Sequence, residues 1–246
     1  SMERLSTGMR INAARDDSAG LAIASRLTSE ARGLDQAIRN SSDAQAMIDT
    51  IESLHNEVAD MLQRIRELAV QAANDTNSSA DRTNISTEMT ALAAEIDSIA
   101  SNTKWAGQSL VTASSTFVYQ IGDEGSEDMT VTTSVVAASS LHVTGTTGLS
   151  TAGQFTSLID KVDSAIADIA SYRAELGADS NRLDHNMQHL ATNSQAVKAS
   201  LSRIQDTDYA AETTSLAKDQ ILQQAATAML AQANQGQQGL LQLIQN

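Results

Sequence analysis

The sequence contains neither cysteine nor proline in 246 residues, where average usage of about 5% would supply roughly a dozen prolines. The first absence excludes disulfides, thiolate metal ligands and a cysteine nucleophile. The second removes the residue that most effectively breaks helices. Aromatic residues are scarce too, limited to Trp105, Phe117, Tyr119, Phe155, Tyr172 and Tyr209. The core must therefore be built from aliphatic side chains and alanine, a composition that favours long uninterrupted helices. Positive charge is in deficit: 16 Lys and Arg face 30 Asp and Glu, a formal net charge of −14. Such a surface repels nucleic acid and anionic membranes at ordinary salt. No run of 18 apolar residues and no basic-plus-apolar leader occurs, so nothing reads as a transmembrane span or a conventional signal peptide. Ser1-Met2 reads as a cloning scar ahead of text that begins as if in mid-helix.

What is present is helical periodicity at both ends of the chain. From Ala44, apolar residues fall at Met47, Ile51, Leu54, Val58, Met61, Ile65, Leu68 and Ala72, in steps of three and four. That is a heptad seam. The same spacing returns at Ile85, Met89, Leu92, Ile96 and Ile99, after the turn-rich stretch 74–79, whose Asn, Asp, Thr and Ser side chains favour turns and helix N-caps. The two segments predict an αα-hairpin. The longest seam runs through Phe155, Leu158, Val162, Ala165, Ile169, Tyr172 and Leu176. It continues through Ser180, Leu183, Met187, Leu190, Ser194, Val197, Leu201 and Ile204. Fifty helical residues at about 1.5 Å each span roughly 75 Å, longer than an ordinary domain is wide. A repeat of 3.5 residues also predicts that the helices supercoil around one another. The expected fold is mainly α: an elongated rod of long antiparallel coiled-coil helices. Gly177 interrupts good helix formers, and is read either as a close approach of another backbone or as a simple kink.

Between the helical stretches the text changes. Residues 117–121 and 129–133 are rich in β-branched and aromatic side chains and flank the Gly- and acid-rich 122–128. They predict a β-hairpin. A second strand-like piece, 141–144, precedes Gly145 and Gly148, so that 111–148 is expected as a small β insertion.

Candidate chemistry is thin. His185 and His189 are spaced four apart on one helix face, but no Glu follows His185 to complete a zinc-protease pattern, and both lie off the seam. They read as a solvated surface pair. The acidic loop from Asp123 to Asp128 lacks the spacing of an EF-hand and reads as a solvated turn. No phosphate loop, dinucleotide fingerprint or nucleophile elbow occurs. Within 111–154 only His142 is an ordinary general base, and it has no partner constellation. The sequence therefore predicts no enzyme, no cofactor and no metal site.

Four ordered blocks remain, and together they resemble the bacterial flagellins. Residues 3–12 (ERLSTGMRIN) followed by 16–20 (DDSAG) are similar to that family's N-terminal signature. Residues 62–71 (LQRIRELAVQ) resemble its receptor-recognised helix, and 173–178 (RAELGA) with 181–183 (NRL) its long C-terminal helix. Residues 220–225 (QILQQA) and 230–235 (LAQANQ) resemble its C-terminal assembly segment.

The resemblance implies a structural subunit of the flagellar filament serving swimming motility. Such a subunit is exported unfolded through the flagellar type III apparatus and polymerises outside the cell. Its implied partners are further copies of itself, the flagellar cap protein and an export chaperone at the C-terminus. A vertebrate flagellin-sensing Toll-like receptor is implied as well, with Arg64, Leu68 and Glu88 as contact residues. Leu68 also lies on the seam, where its periodicity predicts core packing. The resemblance assigns 3–20 and 205–246 to terminal inner-layer segments and connectors, and 21–110 and 149–204 to a helical rod that carries the insertion. Leu222, Ala225, Met229, Leu240 and Leu243 would form the assembly face. The family's N-terminal helix, which would precede Glu3, is expected to be missing, leaving that face without its usual cover. The competing function is a hook–filament junction or related type III-exported helical protein. A chemoreceptor-type signalling coiled coil would lack the hairpin and carry a tip motif that is not found.

Overall fold

The computed structural model describes the backbone of residues 2–244 and the side chains of residues 2–233. The chain packs as two compact units, Gly33–Asn193 and the combination of Ser1–Arg32 with Ser194–Asn246. Five helices occur among the described residues: α1 (Met2–Thr7), α2 (Ser18–Ala73), α3 (Ser79–Asn102), α4 (Ala152–Gln205) and α5 (Tyr209–Ile244). Two short antiparallel pairs lie between α3 and α4. They are β1 (Lys104–Trp105) with β2 (Gln108–Ser109), and β3 (Ser115–Gln120) with β4 (Asp128–Thr133).

The larger unit is an antiparallel arrangement of α2, α3 and α4 with the β3–β4 hairpin laid against it. Direction is fixed by cross-helix pairs: Arg66 meets Asp163 at 2.5 Å, Arg173 meets Glu52 at 3.7 Å, and Gln45 donates to Ser180 Oγ at 2.6 Å. Numbers that rise along α2 pair with numbers that fall along α4. The α2–α3 turn shows why a sequence this rich in Asn and Ser reverses here. Asn77 Nδ2 donates to the Gln71 carbonyl at 2.6 Å, and Arg82 reaches back to the carbonyls of Ala72 and Asn74 at 2.9 and 3.1 Å. These donors satisfy the carbonyls that a helix leaves open at its C-terminus. Ser78 then starts α3 with a capping box, its hydroxyl accepting from Asp81 N while Asp81 accepts from Ser78 N.

Burial follows the predicted α2 seam, with one extension. Met47, Ile51, Leu54, Val58, Ile65, Leu68 and Ala72 are buried, and Met61 is half-buried. Ile48, His55, Leu62 and Ala69, again seven residues apart, are buried as well. A helix that packs against two neighbours needs a wider face than a two-stranded seam supplies. On α3 the expected line holds at Met89 and Ile96 and shifts by one residue at its other three positions. Ser86, Met89, Ala93, Ile96 and Ala100 face inward, whereas Ile85, Leu92 and Ile99 are half-buried at the flanks. Small residues on the central line let the helix approach closely, and the larger neighbours close the edges.

Along α4 the expected line holds, with Phe155, Leu158, Val162, Ala165, Ile169, Leu176, Leu183, Leu190, Ser194 and Val197 all buried. Gly177 meets nothing within 4 Å, and α4 runs unbroken through it, so the close approach read there is not found. A glycine of α2 that does admit a neighbour is Gly33, where a Cβ would stand 2.8 Å from Asp123 Cβ in the hairpin loop.

The hairpin strands form where β-branched and aromatic residues cluster. Phe117 pairs with Val131 and Tyr119 with Met129, and Met129, Val131 and Thr133 turn inward in strict alternation. The Tyr119 hydroxyl donates to the Met47 sulfur at 2.8 Å, and burial pushes the phenol's pKa up. Asn40 of α2 donates to the Gln120 carbonyl at 2.9 Å and Asn186 of α4 to the Ile121 carbonyl at 3.0 Å, which fastens the strand end to both helices.

The strand expected at 141–144 does not form. Leu141 and Val143 are buried, but His142 between them has φ +56° and the segment runs in turns. Its apolar residues fill the core as an irregular loop, held by Ala138 N on Asp97 Oδ1 at 2.8 Å and by the Ser86 hydroxyl on the Thr146 carbonyl. Conversely, the β1–β2 pair was not anticipated. Its two-residue turn, Ala106 at φ +49° and Gly107 at φ +84°, has the left-handed geometry that suits tight hairpins.

Candidate functional site

The smaller unit joins the N-terminal stretch 4–10 to residues 204–212. Asp17 Oδ1 caps α2 by accepting from Gly20 N at 2.8 Å. A Cβ on Gly20 would crowd that carboxylate and stand 2.7 Å from Ile11 Cδ1, so the glycine leaves room for both side chains. Asp16 Oδ2 accepts from the amides of Ala13 and Asn12 at 3.0 and 3.2 Å. These amides, with Arg15 and Arg4, hold its carboxyl below the usual carboxylate range.

The extended stretch before this cap is tied to the chain between α4 and α5. Arg10 N donates to the Gln205 carbonyl at 2.7 Å and Thr207 N to the Gly8 carbonyl at 3.0 Å, around a Met9–Asp206 bridge. Arg10 Nη2 donates to the Ile204 carbonyl at 2.8 Å. Asp208 caps α5, its Oδ1 accepting from Ala210 N at 2.9 Å. The Tyr209 hydroxyl donates to the Leu5 carbonyl at 3.0 Å, and Arg4 stands 3.8 Å from Glu212. Gly8, at φ +72°, makes the bend that brings α1 against α5; a Cβ there would lie 3.4 Å from Tyr209 Oη.

Beyond this junction the described side chains of α5 from 217 to 233 are exposed. Ile221, Leu222, Met229 and Leu230 are between 55% and 70% exposed, and Ala225 is exposed between them. Of the expected assembly residues, Leu222, Ala225 and Met229 thus share an open helix face. Leu240 and Leu243 lie outside the described side chains. Burying each Leu, Ile or Met removes roughly 1.5–3 kcal/mol of unfavourable exposure.

The expected receptor contacts separate. Arg64 is exposed and bonded to Glu88 at 2.9 Å and Glu67 at 3.2 Å, and both hydrogen bonds push its guanidinium pKa up. Leu68, only 2% exposed, lies in the core as its periodicity predicts. His185 and His189 are both exposed on α4. Among the described residues no three His, Asp or Glu side chains are grouped to hold a metal, and no helix is long and apolar enough to cross a membrane. Sequence reasoning overlooked His55, which is buried in the α2 column formed with Ile48, Leu62 and Ala69. The seven-residue spacing of that column was the available signal.

Long packed helices, an N-terminal stretch hydrogen-bonded to residues 204–209, and an apolar helix face exposed over the described part of α5 are the features the fold presents. The comparisons with known proteins give the family. Residues 1–116 match the bacterial flagellin N-terminal helical region and residues 159–244 the bacterial flagellin C-terminal helical region. The chain belongs to the bacterial flagellin family. It is 39% identical over 245 residues to the flagellin of Halalkalibacterium halodurans, across 99% of this chain and 90% of that protein. It is 40% identical over 259 residues to a flagellar filament core protein of Brachyspira hyodysenteriae, across 99% of this chain and 91% of that one. The crystal structure of Bacillus cereus flagellin superposes with a TM-score of 0.55 at 34% identity, covering 65% of this chain and 94% of that chain. The chain is a structural subunit of the flagellar filament, and nothing in these matches favours the junction protein.

Proposed function

We propose that this flagellin enters the filament through its terminal segments, with the α5 face of Leu222, Ala225 and Met229 buried in an inner layer, to which Leu240 and Leu243 also contribute. Residues 3–20 and 205–246 supply that layer and its connectors. Residues 21–110 and 149–204 supply the helical rod, to which the insertion 111–148 belongs. The observation that carries the reading is the exposure of four large apolar side chains along α5 in the single subunit. Leaving such a face in water is unfavourable, and side-by-side packing of copies removes it. The flagellar cap protein would guide that packing outside the cell, and an export chaperone would cover the C-terminal segment before export. Stability without cysteine cross-links suits an exported fibre. Electron microscopy of the secreted protein tests the reading: long filaments are expected, and a product that stays monomeric at high concentration contradicts it.

We further propose that Arg64 and Glu88 form part of a surface read by the flagellin-sensing Toll-like receptor on the monomer. Both are about half exposed and joined by an ion pair, which fixes their geometry at little energetic gain. Arg64→Asp should abolish signalling by monomeric protein while helicity is unchanged. Receptor activation equal to that of the parent would remove the pair from the account.

A further inference from the structure

One layer of the α2–α4 packing in the larger unit is polar where its neighbours are apolar. His55 on α2 is 1% exposed, between Leu54 and Val58 of the same helix, which are also buried. Neither ring nitrogen has a hydrogen-bond partner among the described residues. Its ring faces Tyr172 of α4, centroids 6.2 Å apart and planes inclined by 39°. Arg173, the next residue of α4, has its Nε buried and also without a partner, while its Nη2 reaches Glu52 of α2 at 3.7 Å. At this level Arg173 from the facing helix is paired with Glu52 from His55's own helix. The charge that acts on the imidazole is that of Arg173.

A neutral imidazole is tolerated in such a place; an imidazolium is not, because it would be buried beside a second cation with no acceptor for either N–H. We propose that the His55 layer is an acid-sensitive joint of the bundle, at which α2 and α4 part locally in mildly acid surroundings while the packing on either side stays closed. Burial, and then the charge of Arg173, lower the His55 pKa from its ordinary 6.5 to about 4. The direction of the linkage follows. The folded pKa of this base lies below the unfolded value, so the closed layer is fully stable above pH 6.5. That stability is lost as pH falls from 6.5 towards 4, by about tenfold in the opening equilibrium per pH unit. Between pH 7.5 and 4.5 the opening constant should rise about 70-fold.

The test is amide hydrogen exchange on the full chain, corrected for the intrinsic pH dependence of exchange. Protection at 52–58 and 169–176 should fall by that factor from pH 7.5 to 4.5, while protection around Ile96 of α3 is retained. His55→Leu should abolish the pH dependence at 52–58, and His55→Gln serves the same purpose if the leucine variant folds poorly. Nuclear magnetic resonance titration of the unaltered protein gives an independent reading. His55 titrating near pH 4 supports the joint; His55 titrating near 6.5, or an undiminished acid effect in a folded His55→Leu variant, overturns it.

Discussion

Leu222→Asp combined with Met229→Asp should reduce incorporation of this flagellin into growing filaments by on the order of 10²–10⁴-fold, with α2, α3 and α4 unaffected. Both side chains are more than half exposed in the single subunit, so neither substitution removes a contact that holds the fold together. In the filament each is expected to be covered, worth roughly 1.5–3 kcal/mol apiece. Two carboxylates placed there forfeit that contribution and add a desolvation cost. Seeded polymerisation followed by sedimentation measures the effect. Incorporation at the parent rate would mean that the α5 face is not an assembly surface. The substitution Lys218→Gln, on the same helix and also exposed, serves as the control for a charge change without loss of apolar area.

The second large effect lies in the core. Leu62→Ala should destabilise the larger unit by about 2–5 kcal/mol, the usual cost of truncating a fully buried leucine. Met61→Ala, one residue away, should cost about 1 kcal/mol, because Met61 is only half-buried. Denaturant unfolding of the two variants decides between the wide buried face seen on α2 and the narrower seam that its heptads suggest. Equal losses, or a larger loss at Met61, would show that the face is rotated from the one described.

That comparison also shows what the sequence could reveal about the fold. The lengths and order of the helices follow from steps of three and four among apolar residues, and the reversal at 74–79 follows from side chains that cap. Which side of a helix carries the extra width depends on how many neighbours it has, and spacing along one helix does not report that number. On α3 the error has the same source. Ile85, Leu92 and Ile99 are the conspicuous residues, yet Ser86, Ala93 and Ala100 sit on the central line because close approach favours small side chains there. The irregular loop at 141–144 shows a limit of alternation: Leu141 and Val143 read as strand because both are buried, but burial in a loop leaves the same pattern.

The candidate site was legible in part. Leu222, Ala225 and Met229 stand out as an apolar stripe in a polar helix, and Asp16, Asp17 and Gly20 as a motif. The cross-chain bonds of Arg10, Gly8 and Tyr209 join residues about two hundred positions apart, and no local pattern announces them. The separation of Arg64 from Leu68 was contained in the periodicity, since one residue lies off the seam and the other on it. His55 escaped because a lone histidine among Ile48, Leu62 and Ala69 looks like an interruption of a column, whereas it is a member of it.

Amide hydrogen exchange over Ile221–Leu230, compared between the soluble subunit and the assembled filament, tests the central claim most directly. In the subunit this stretch of α5 has an open apolar face and is held by little beyond its own helical bonds, so it should exchange rapidly, as an isolated helix does. In the filament the account predicts strong protection over the same residues, comparable to that of the buried core around Ile65. Exchange over Ile221–Leu230 that is equally fast in filament and subunit would contradict it.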